Sequence, residues 1–340
     1  QIGKKPLEEG MNILGAHIDS PRIDVKQNPL YESEEFAYLD THYYGGIKKY
    51  QWLTMPLAIH GVVAKTNGEV VDVCIGESEE DPVFAVTDLL PHLAAKQMEQ
   101  KANAIIEGEK LDVIIGNRPL EGVSEDEKEA VKKNMLAILE ERYGMTEEDF
   151  VSAELEIVPA GKSRDMGFDR SMVMGYGQDD RVCAYPSFVA LMDIAEASEA
   201  PERTAVCILS DKEEIGSVGN TGMESHNFEL FLMDMLEKTG IVNPYALQRT
   251  FSASRALSAD VTAAFDPNYP EVMEKRNAAF MGRGISLKKY TGARGKSGAS
   301  DANAEFVGYV RGVFKEAGVT CQSSEMGKVD EGGGGTIAYI

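Results

Sequence analysis

The 340-residue sequence is poor in several features that would each indicate a particular class of protein. It has four cysteines, Cys74, Cys183, Cys207 and Cys321, in apolar surroundings without paired spacing. We therefore predict reduced core thiols rather than a disulfide framework. No apolar run approaches the roughly 18–20 residues of a membrane span, and the first residues lack the apolar core of a signal peptide. These absences predict a globular protein of the cytoplasm with no membrane segment.

Positive charge is also scarce, because 34 Lys and Arg residues face 56 Asp and Glu residues, which gives a net charge of −22. Such a balance opposes binding to nucleic acids or to anionic membranes. It is compatible with a solvated acidic surface, with cationic partners, or with a concentration of metal-binding carboxylates. Charge alone does not choose among these three.

The order of apolar patterns predicts two domains, one of them inserted in the other. The segment Met11–Asp19, "MNILGAHID", is typical of a buried strand, and strands alternate with helices again after about residue 163. Between them lie alternating patterns with an Asn67-Gly68 turn, which indicate β-hairpins. We predict an α/β domain over 1–25 and 163–340, with a mostly parallel or mixed sheet and helices on both faces. A β-rich domain over 26–162 interrupts it.

Within these domains, several elements have clear sequence signatures. The segment Ser124–Gly144 predicts an amphipathic helix, with Ser124 and Glu127 as a capping box and Gly144 at its end. In the α/β part, Thr204–Leu209 predicts a buried strand and Asp301–Gly318 a helix. The strand at "MVMGYGQ" is expected to precede a helix that begins near "DDRV".

Acidic residues and one histidine follow four predicted strands of the α/β domain. In open α/β sheets the functional site lies beyond the carboxyl ends of the strands, and no strand end here supplies a Ser or Cys nucleophile. The residues at these ends are His17 and Asp19, Asp179 and Asp180, Glu213 and Glu214, and Asp260. Each group alone has an ordinary explanation, such as a helix cap or a solvated surface. Together they predict a site for Zn²⁺ or a neighbouring divalent ion such as Co²⁺ or Mn²⁺.

The spacing within the pairs suggests a division of roles. On an extended strand, His17 and Asp19 point the same way, so Asp19 can orient the imidazole. Glu213 and Glu214 point to opposite sides, so one can bind metal while the other acts as a general base on water. One carboxylate can also bridge two ions about 3.5–4 Å apart, as in two-metal aminopeptidases.

Six motifs, in order, resemble the aspartyl aminopeptidase family of the co-catalytic zinc exopeptidase clan. They are "GAHIDSPRIDVKQNPLYE", "GQDDRV", "DKEEIGSVGNTG", "SADVTAAFDPNYPE", "RGKSGASDANAEF" and "GKVDEGGGGTIAYI". The resemblance covers essentially the whole chain and is densest in the α/β part. It implies a dinuclear metalloaminopeptidase with an inserted dimerisation domain, assembled as a tetrahedral dodecamer.

The resemblance also implies a role for each matching residue. His17 and Asp260 would bind one metal ion, Asp179 would bridge both, Glu214 would bind the second, Glu213 would be the general base, and Asp19 would orient His17. The family supplies a final His for the second ion, downstream of the glycine run. No His follows His226, which we interpret as an ordinary loop residue, so we expect the natural chain to extend beyond Ile340 and before Gln1.

Two substrate contacts follow from the same resemblance. Lys288 in "GISLKKY" matches a Lys that contacts the acidic side chain of the substrate in eukaryotic relatives, although Gly298 stands where a Tyr accompanies it. His92 matches the first His of a stretch that the inserted domain projects into a partner's active site, and Lys96 stands in place of the second. His42 and His60 are expected to be hairpin residues.

The function that these residues imply is hydrolysis of the N-terminal residue of peptides, with a possible preference for acidic residues. Three alternatives stay open: a broad-specificity aminopeptidase, a related zinc carboxypeptidase or deacylase, and a non-catalytic shell or peptide-binding protein. The native metal, the preferred residue and the oligomeric state are not fixed by the sequence.

Overall fold

The computed structural model describes residues 1–124, 127–296, 298–334 and 337. The chain divides into two compact units, one formed by Gln1–Asp19 with Gly177–Ile340 and the other by Ser20–Tyr176. The sequence placed the corresponding boundaries at 25/26 and 162/163, so the second unit holds additional residues at both of its ends. The end of the last family motif, at residues 335, 336 and 338–340, lies outside the described residues.

The strands and helices of the described residues follow in chain order. The strands are β1 Asn12–His17, β2 Arg22–Ser33, β3 Phe36–Tyr44, β4 Leu57–Ala64, β5 Val70–Ile75, β6 Val113–Gly116, β7 Ala153–Pro159, β8 Arg164–Met166, β9 Met172–Met174, β10 Ala205–Ser210, β11 Arg255–Ser258, β12 Ile285–Leu287 and β13 Cys321–Ser323. The helices are α1 Ala95–Met98, α2 Ala130–Tyr143, α3 Gln178–Glu196, α4 Asn227–Lys238, α5 Ala246–Ala253 and α6 Ala304–Glu316. In the described part of the chain, none of these helices combines the length and apolarity that crossing a membrane requires.

The first unit is built on a parallel sheet with the strand order β10–β1–β11. Asn12 lies opposite both Ala205 and Arg255, so the three strands run in register. Helix α3 packs against β1 and β10, and a core cluster joins Met11 to Leu232 of α4. The predicted α/β architecture is confirmed. Because the strands are parallel, their carboxyl ends meet at one edge.

The second unit is a six-stranded antiparallel sheet with the order β5–β4–β7–β2–β3–β6. Its core is apolar and fully buried at Ile23, Leu57, Leu111 and Ile157. The predicted turn at Gly68, where φ is +88°, connects β4 to β5. This unit is therefore β-rich, as the alternating sequence pattern predicts.

The start of helix α2 differs from the prediction. The helix begins at Ala130, not near Ser124, and residues 125 and 126 lie outside the described residues. Its first amide groups, at Val131 and Lys132, donate to the Glu32 carboxylate at 2.9 Å each. A carboxylate from β2 therefore caps this helix, which a local capping-box pattern cannot reveal. The helix ends at Gly144 as predicted, with φ of +60°.

Two further expectations were wrong in detail. The strand in "MVMGYGQ" is β9, which pairs with β8 in a hairpin of the second unit and not with the parallel sheet. The four cysteines form no disulfide, but Cys74 and Cys321 are exposed, so they are not core thiols. Cys183 and Cys207 are half-buried in the first unit, in agreement with the prediction.

Candidate active site

The site begins with a buried imidazole at the carboxyl end of β1. His17 is the last residue of the strand and is 2% exposed. Its Nδ1 lies 3.0 Å from the backbone oxygen of Asp19 and 3.3 Å from a carboxylate oxygen of the same residue. Its Nε2 lies 3.1 Å from Oδ1 of Asp179. Asp19 thus contacts the Nδ1 edge of the ring, and Nε2 is directed at other acids.

The neighbouring strand β10 is followed by a tight 3₁₀ turn, Glu213–Ile215. Lys212, with φ of +64°, reverses the chain before this turn. The backbone amides of Glu213 and Glu214 both donate to the Asp19 carboxylate, at 3.1 Å each. Asp19 consequently fixes His17 and the turn together, and Oε2 of Glu213 lies 4.0 Å from Nε2 of His17.

Two more acids reach the same edge from α3 and from the chain after β11. Gly177, with φ of +74°, precedes α3, and Asp179 and Asp180 have non-helical backbone angles at its start. Ligand atoms of His17, Asp180 and Asp260 lie within 4.8 Å of one another. A second group, His17 with Glu213 and Glu214, meets the same limit. The imidazole belongs to both groups, so the two candidate metal positions are adjacent.

The electrostatics of the cluster are those of crowded carboxylates around one imidazole. Burial and the nearby charge of Asp179 raise the pKa of Glu214 to about 7, and burial with the same charge raises the pKa of Asp260 to about 7. Burial also raises the pKa of Glu213. Burial opposes protonation of His17, but its hydrogen bonds to Asp179 and Asp19 raise its pKa to about 11. Protons must therefore neutralise these groups when no cation does so.

This donor set fits a divalent cation. Imidazole and carboxylate oxygens are the ligands that Zn²⁺ and its neighbours accept, and Oδ1 of Asp180 is buried without a hydrogen-bond partner among the described residues. Asp19 supplies the carboxylate partner that a metal-bound histidine commonly has. A carboxylate-rich cluster at the carboxyl edge of a parallel sheet, together with a half-buried glutamate beside the imidazole, is the arrangement of a metal-dependent hydrolase.

The structure brings six of the predicted residues into one cluster: His17, Asp19, Asp179, Glu213, Glu214 and Asp260. Only three of the four proposed strand ends contribute, because Asp179 comes from the start of α3 and β9 belongs to the other unit. Asp180 was counted among the acids that predict the metal site, but the family resemblance implied an individual role only for Asp179; in the structure Asp180 is completely buried beside His17. The sequence shows the Asp-Asp pair, but it does not show that the second member is the more deeply buried one.

The remaining candidates lie outside this cluster or at its margin. Burial lowers the pKa of Lys288, and the Asp260 carboxylate is near enough to counteract that effect. His92 lies in the second unit and is exposed. His60 lies on β4 and contacts Glu77 at 2.8 Å, and His42 lies on β3, as the hairpin prediction requires. His226 is exposed and pairs with Glu229.

Comparison with known proteins shows to which family of metal-dependent hydrolases this chain belongs. The model of the family described as "Aminopeptidase I zinc metalloprotease (M18)" matches residues 1–340. A probable M18 family aminopeptidase 1 of Clostridium acetobutylicum is 58% identical over 339 residues, which are 100% of this chain and 72% of the relative. The chain belongs to the M18 family of zinc aminopeptidases. It is therefore a metalloaminopeptidase, a hydrolase that removes N-terminal residues.

Solved structures agree with this assignment. The crystal structure of aminopeptidase I from Clostridium acetobutylicum is 57% identical, has a TM-score of 0.91, and is matched over 99% of this chain and 72% of that one. The mApe1 dodecamer of S. cerevisiae is 21% identical, with a TM-score of 0.71 over 96% of this chain and 71% of that one, and shares the fold.

Proposed function

We propose that this metalloaminopeptidase works with two divalent ions per chain, zinc in the first instance, held at the His17 cluster. The observation that carries the proposal is the pair of ligand groups that share His17. As the family resemblance implies, His17 and Asp260 would hold one ion and Glu214 the other, and Asp179, whose Oδ1 lies 3.1 Å from Nε2 of His17, would be shared by both. When bound, such ions supply Lewis acidity and lower the pKa of a coordinated water toward neutrality. Co²⁺ or Mn²⁺ would suit the same ligands.

Glu213 is proposed as the general base and Asp19 as the residue that orients His17. A carboxylate with a raised pKa accepts a proton more readily at neutral pH, and burial raises the pKa of Glu213. Its Oε2 takes the proton of the attacking water and delivers it to the leaving amine. The hydrogen bonds from the backbone amides of Glu213 and Glu214 to Asp19 fix the turn from which this side chain extends.

Lys288 is the proposed contact for an acidic side chain of the substrate. Lys288 is partly buried and close enough to Asp260 for the two charges to interact, and a desolvated cation attracts a carboxylate more strongly than a solvated one. His92 is proposed to act at a partner's active site. We further propose a homo-oligomer built from dimers through the inserted unit, with a tetrahedral dodecamer as its final form.

A cytoplasmic location is also proposed, and it rests on the four free cysteines, since exposed thiols such as Cys74 and Cys321 stay reduced there. Peptides with a free N-terminus are the expected substrates. Nucleic acid and membranes are not expected partners of a chain with a net charge of −22.

A peptide panel tests the reaction class and its specificity. Matched peptides with Asp, Glu, Leu or Lys at the N-terminus are offered with free and with acetylated amines, and products are identified by mass spectrometry. Release of the first residue from free peptides only is the expected result. Loss of the C-terminal residue, or cleavage of the acetyl group, would identify a carboxypeptidase or a deacylase instead.

Specificity is tested on the same panel with Lys288→Met. If Lys288 binds acidic side chains, kcat/KM falls about 10-fold or more for Asp and Glu peptides and stays near the original value for Leu peptides. Lys289→Met, an exposed neighbour that pairs with Asp301, is the matched control. An equal fall for all four peptides would contradict the specificity role.

A further inference from the structure

We propose that Thr221 is a positioning residue of the active site, and that its hydroxyl group closes the loop that carries Glu213 and Glu214. This loop spans residues 211–224 and is called the glutamate loop below. The inference rests on the proposed function, since it assumes that Glu213 is the general base and Glu214 a metal ligand. The family resemblance gave no role to Thr221 or to Asp211, the residue that its hydroxyl contacts.

The turn with the two glutamates depends on the backbone of the residue before it. Asp19 accepts the backbone amides of Glu213 and Glu214 at 3.1 Å each, which holds their amide groups. The direction in which the two side chains leave the turn also depends on Lys212, where φ is +64°. A residue other than glycine rarely adopts this conformation, and it persists only where surrounding contacts hold it. The contacts that hold Lys212 therefore help to place both carboxylates.

Ser217 contacts the backbone of Lys212 directly. Its amide donates to the backbone oxygen of Lys212 at 2.7 Å, and Ser217 is buried and has a φ of +59°. Its own backbone oxygen accepts the amide of Glu224 at 3.0 Å. Gly222 lies so close that a Cβ added there would be 2.1 Å from the same oxygen. The returning part of the loop, residues 221–224, therefore packs against Ser217 and holds it in place.

Thr221 ties this returning part to the end of β10. Its hydroxyl group donates to Oδ2 of Asp211 at 2.8 Å, and Asp211 directly follows the strand. The backbone amide of Asp211 also donates to the backbone oxygen of Thr221, but that bond is long, at 3.4 Å. The first distance is the usual one for a hydroxyl donor, whereas the second lies beyond the usual range for an amide. A carboxylate acceptor strengthens the first bond further, so the side-chain bond is the stronger of these two.

Thr221→Val tests the role of the hydroxyl, because it removes the donor, keeps the shape of the side chain and leaves the contact of Asp211 with Lys212 in place. A misplacement of about 1 Å can cost about 100-fold in rate. We therefore expect kcat at saturating zinc to fall by about 10–100-fold with little change in KM. Thr221→Ser keeps a hydroxyl and should restore most of the rate. The matched control is Thr239→Val, because the Thr239 hydroxyl donates to Leu236 at 2.8 Å, at the end of α4.

Two measurements report on the loop without turnover. Hydrogen exchange of the metal-free protein, followed by mass spectrometry, detects local opening, and peptides that cover the glutamate loop should exchange about 10-fold faster in Thr221→Val. The visible spectrum of the Co²⁺-loaded protein should change as well, because the ligand Glu214 lies on this loop. Neither should change in Thr239→Val. Circular dichroism confirms that each variant is folded, and Thr221→Ala replaces Thr221→Val if the latter does not fold.

A double-mutant cycle tests whether Thr221 acts through Asp211. In an Asp211→Ala background, Thr221→Val should cause little further loss of kcat, because the acceptor of its hydroxyl is already gone. Additive losses would overturn the inference, and so would equal kcat and equal exchange rates in Thr221→Val and Thr239→Val. If Glu213→Gln keeps full activity, the proposed general base fails. If Glu213→Gln loses activity and Thr221→Val matches the unsubstituted protein, only the role of Thr221 fails.

Discussion

Glu213 and Glu214 lie in the same turn after β10, and their backbone amides share the Asp19 carboxylate as acceptor. Their side chains, however, have different surroundings. Both backbone amides donate to Asp19, so one carboxylate anchors the pair. Glu213 extends to within 4.0 Å of the imidazole, while burial and the charge of Asp179 raise the pKa of Glu214 to about 7. A carboxylate that is destabilised by burial and by neighbouring negative charge is stabilised strongly by a bound cation, which favours Glu214 as the ligand.

The general-base role gives a prediction for a single side chain. Glu213→Gln removes the proton acceptor and keeps its shape, so kcat should fall by about 10²–10⁴-fold while zinc content, measured by atomic emission, stays unchanged. Glu214→Gln should instead reduce zinc content. Glu237→Gln, an exposed residue of α4, is the matched control. Undiminished turnover in Glu213→Gln would contradict the assignment.

At the scale of helices and strands, the sequence predicted those elements whose causes are local. The strands β1 and β10 are short, largely apolar runs, and Gly144 marks a helix end through its left-handed conformation. Most of the cluster was predictable for a different reason, because an α/β pattern predicts parallel strands, and these bring their carboxyl ends together. Contacts between distant residues were not predictable from local patterns. The Glu32 cap of α2 and the pairing of β9 with β8 depend on tertiary packing.

The cap of α2 can be tested as an element of the second unit. Glu32→Ala leaves the amides of Val131 and Lys132 without their acceptor, so the free energy of unfolding should fall by about 1–2 kcal/mol. Ser124→Ala, at the start predicted from the sequence, should change it by less than about 0.5 kcal/mol. Urea unfolding measures both values. A larger loss for Ser124→Ala than for Glu32→Ala would show that the helix is capped elsewhere.

The stability of the whole molecule should depend on pH in opposite directions with and without metal. In the metal-free protein, Glu214 and Asp260 have pKa values raised to about 7, so the folded state holds protons that the unfolded state has released. Stability is therefore lost as the pH rises toward and through 7. The pKa of His17, raised to about 11, adds stability that is complete below about 6.5 and is lost as the pH rises toward 11.

We expect the melting temperature of metal-free protein to fall by several degrees between pH 5 and pH 8, because both kinds of group act in the same direction. With saturating Zn²⁺ the trend should reverse, since the ligands must lose protons to bind the ion and binding stabilises the folded state. Scanning calorimetry with zinc or with a chelator measures both curves. Asp260→Asn should flatten the metal-free curve, whereas Asp193→Asn, an exposed residue of α3, should leave it unchanged. Coincident curves with and without zinc would mean that the cluster does not bind the ion.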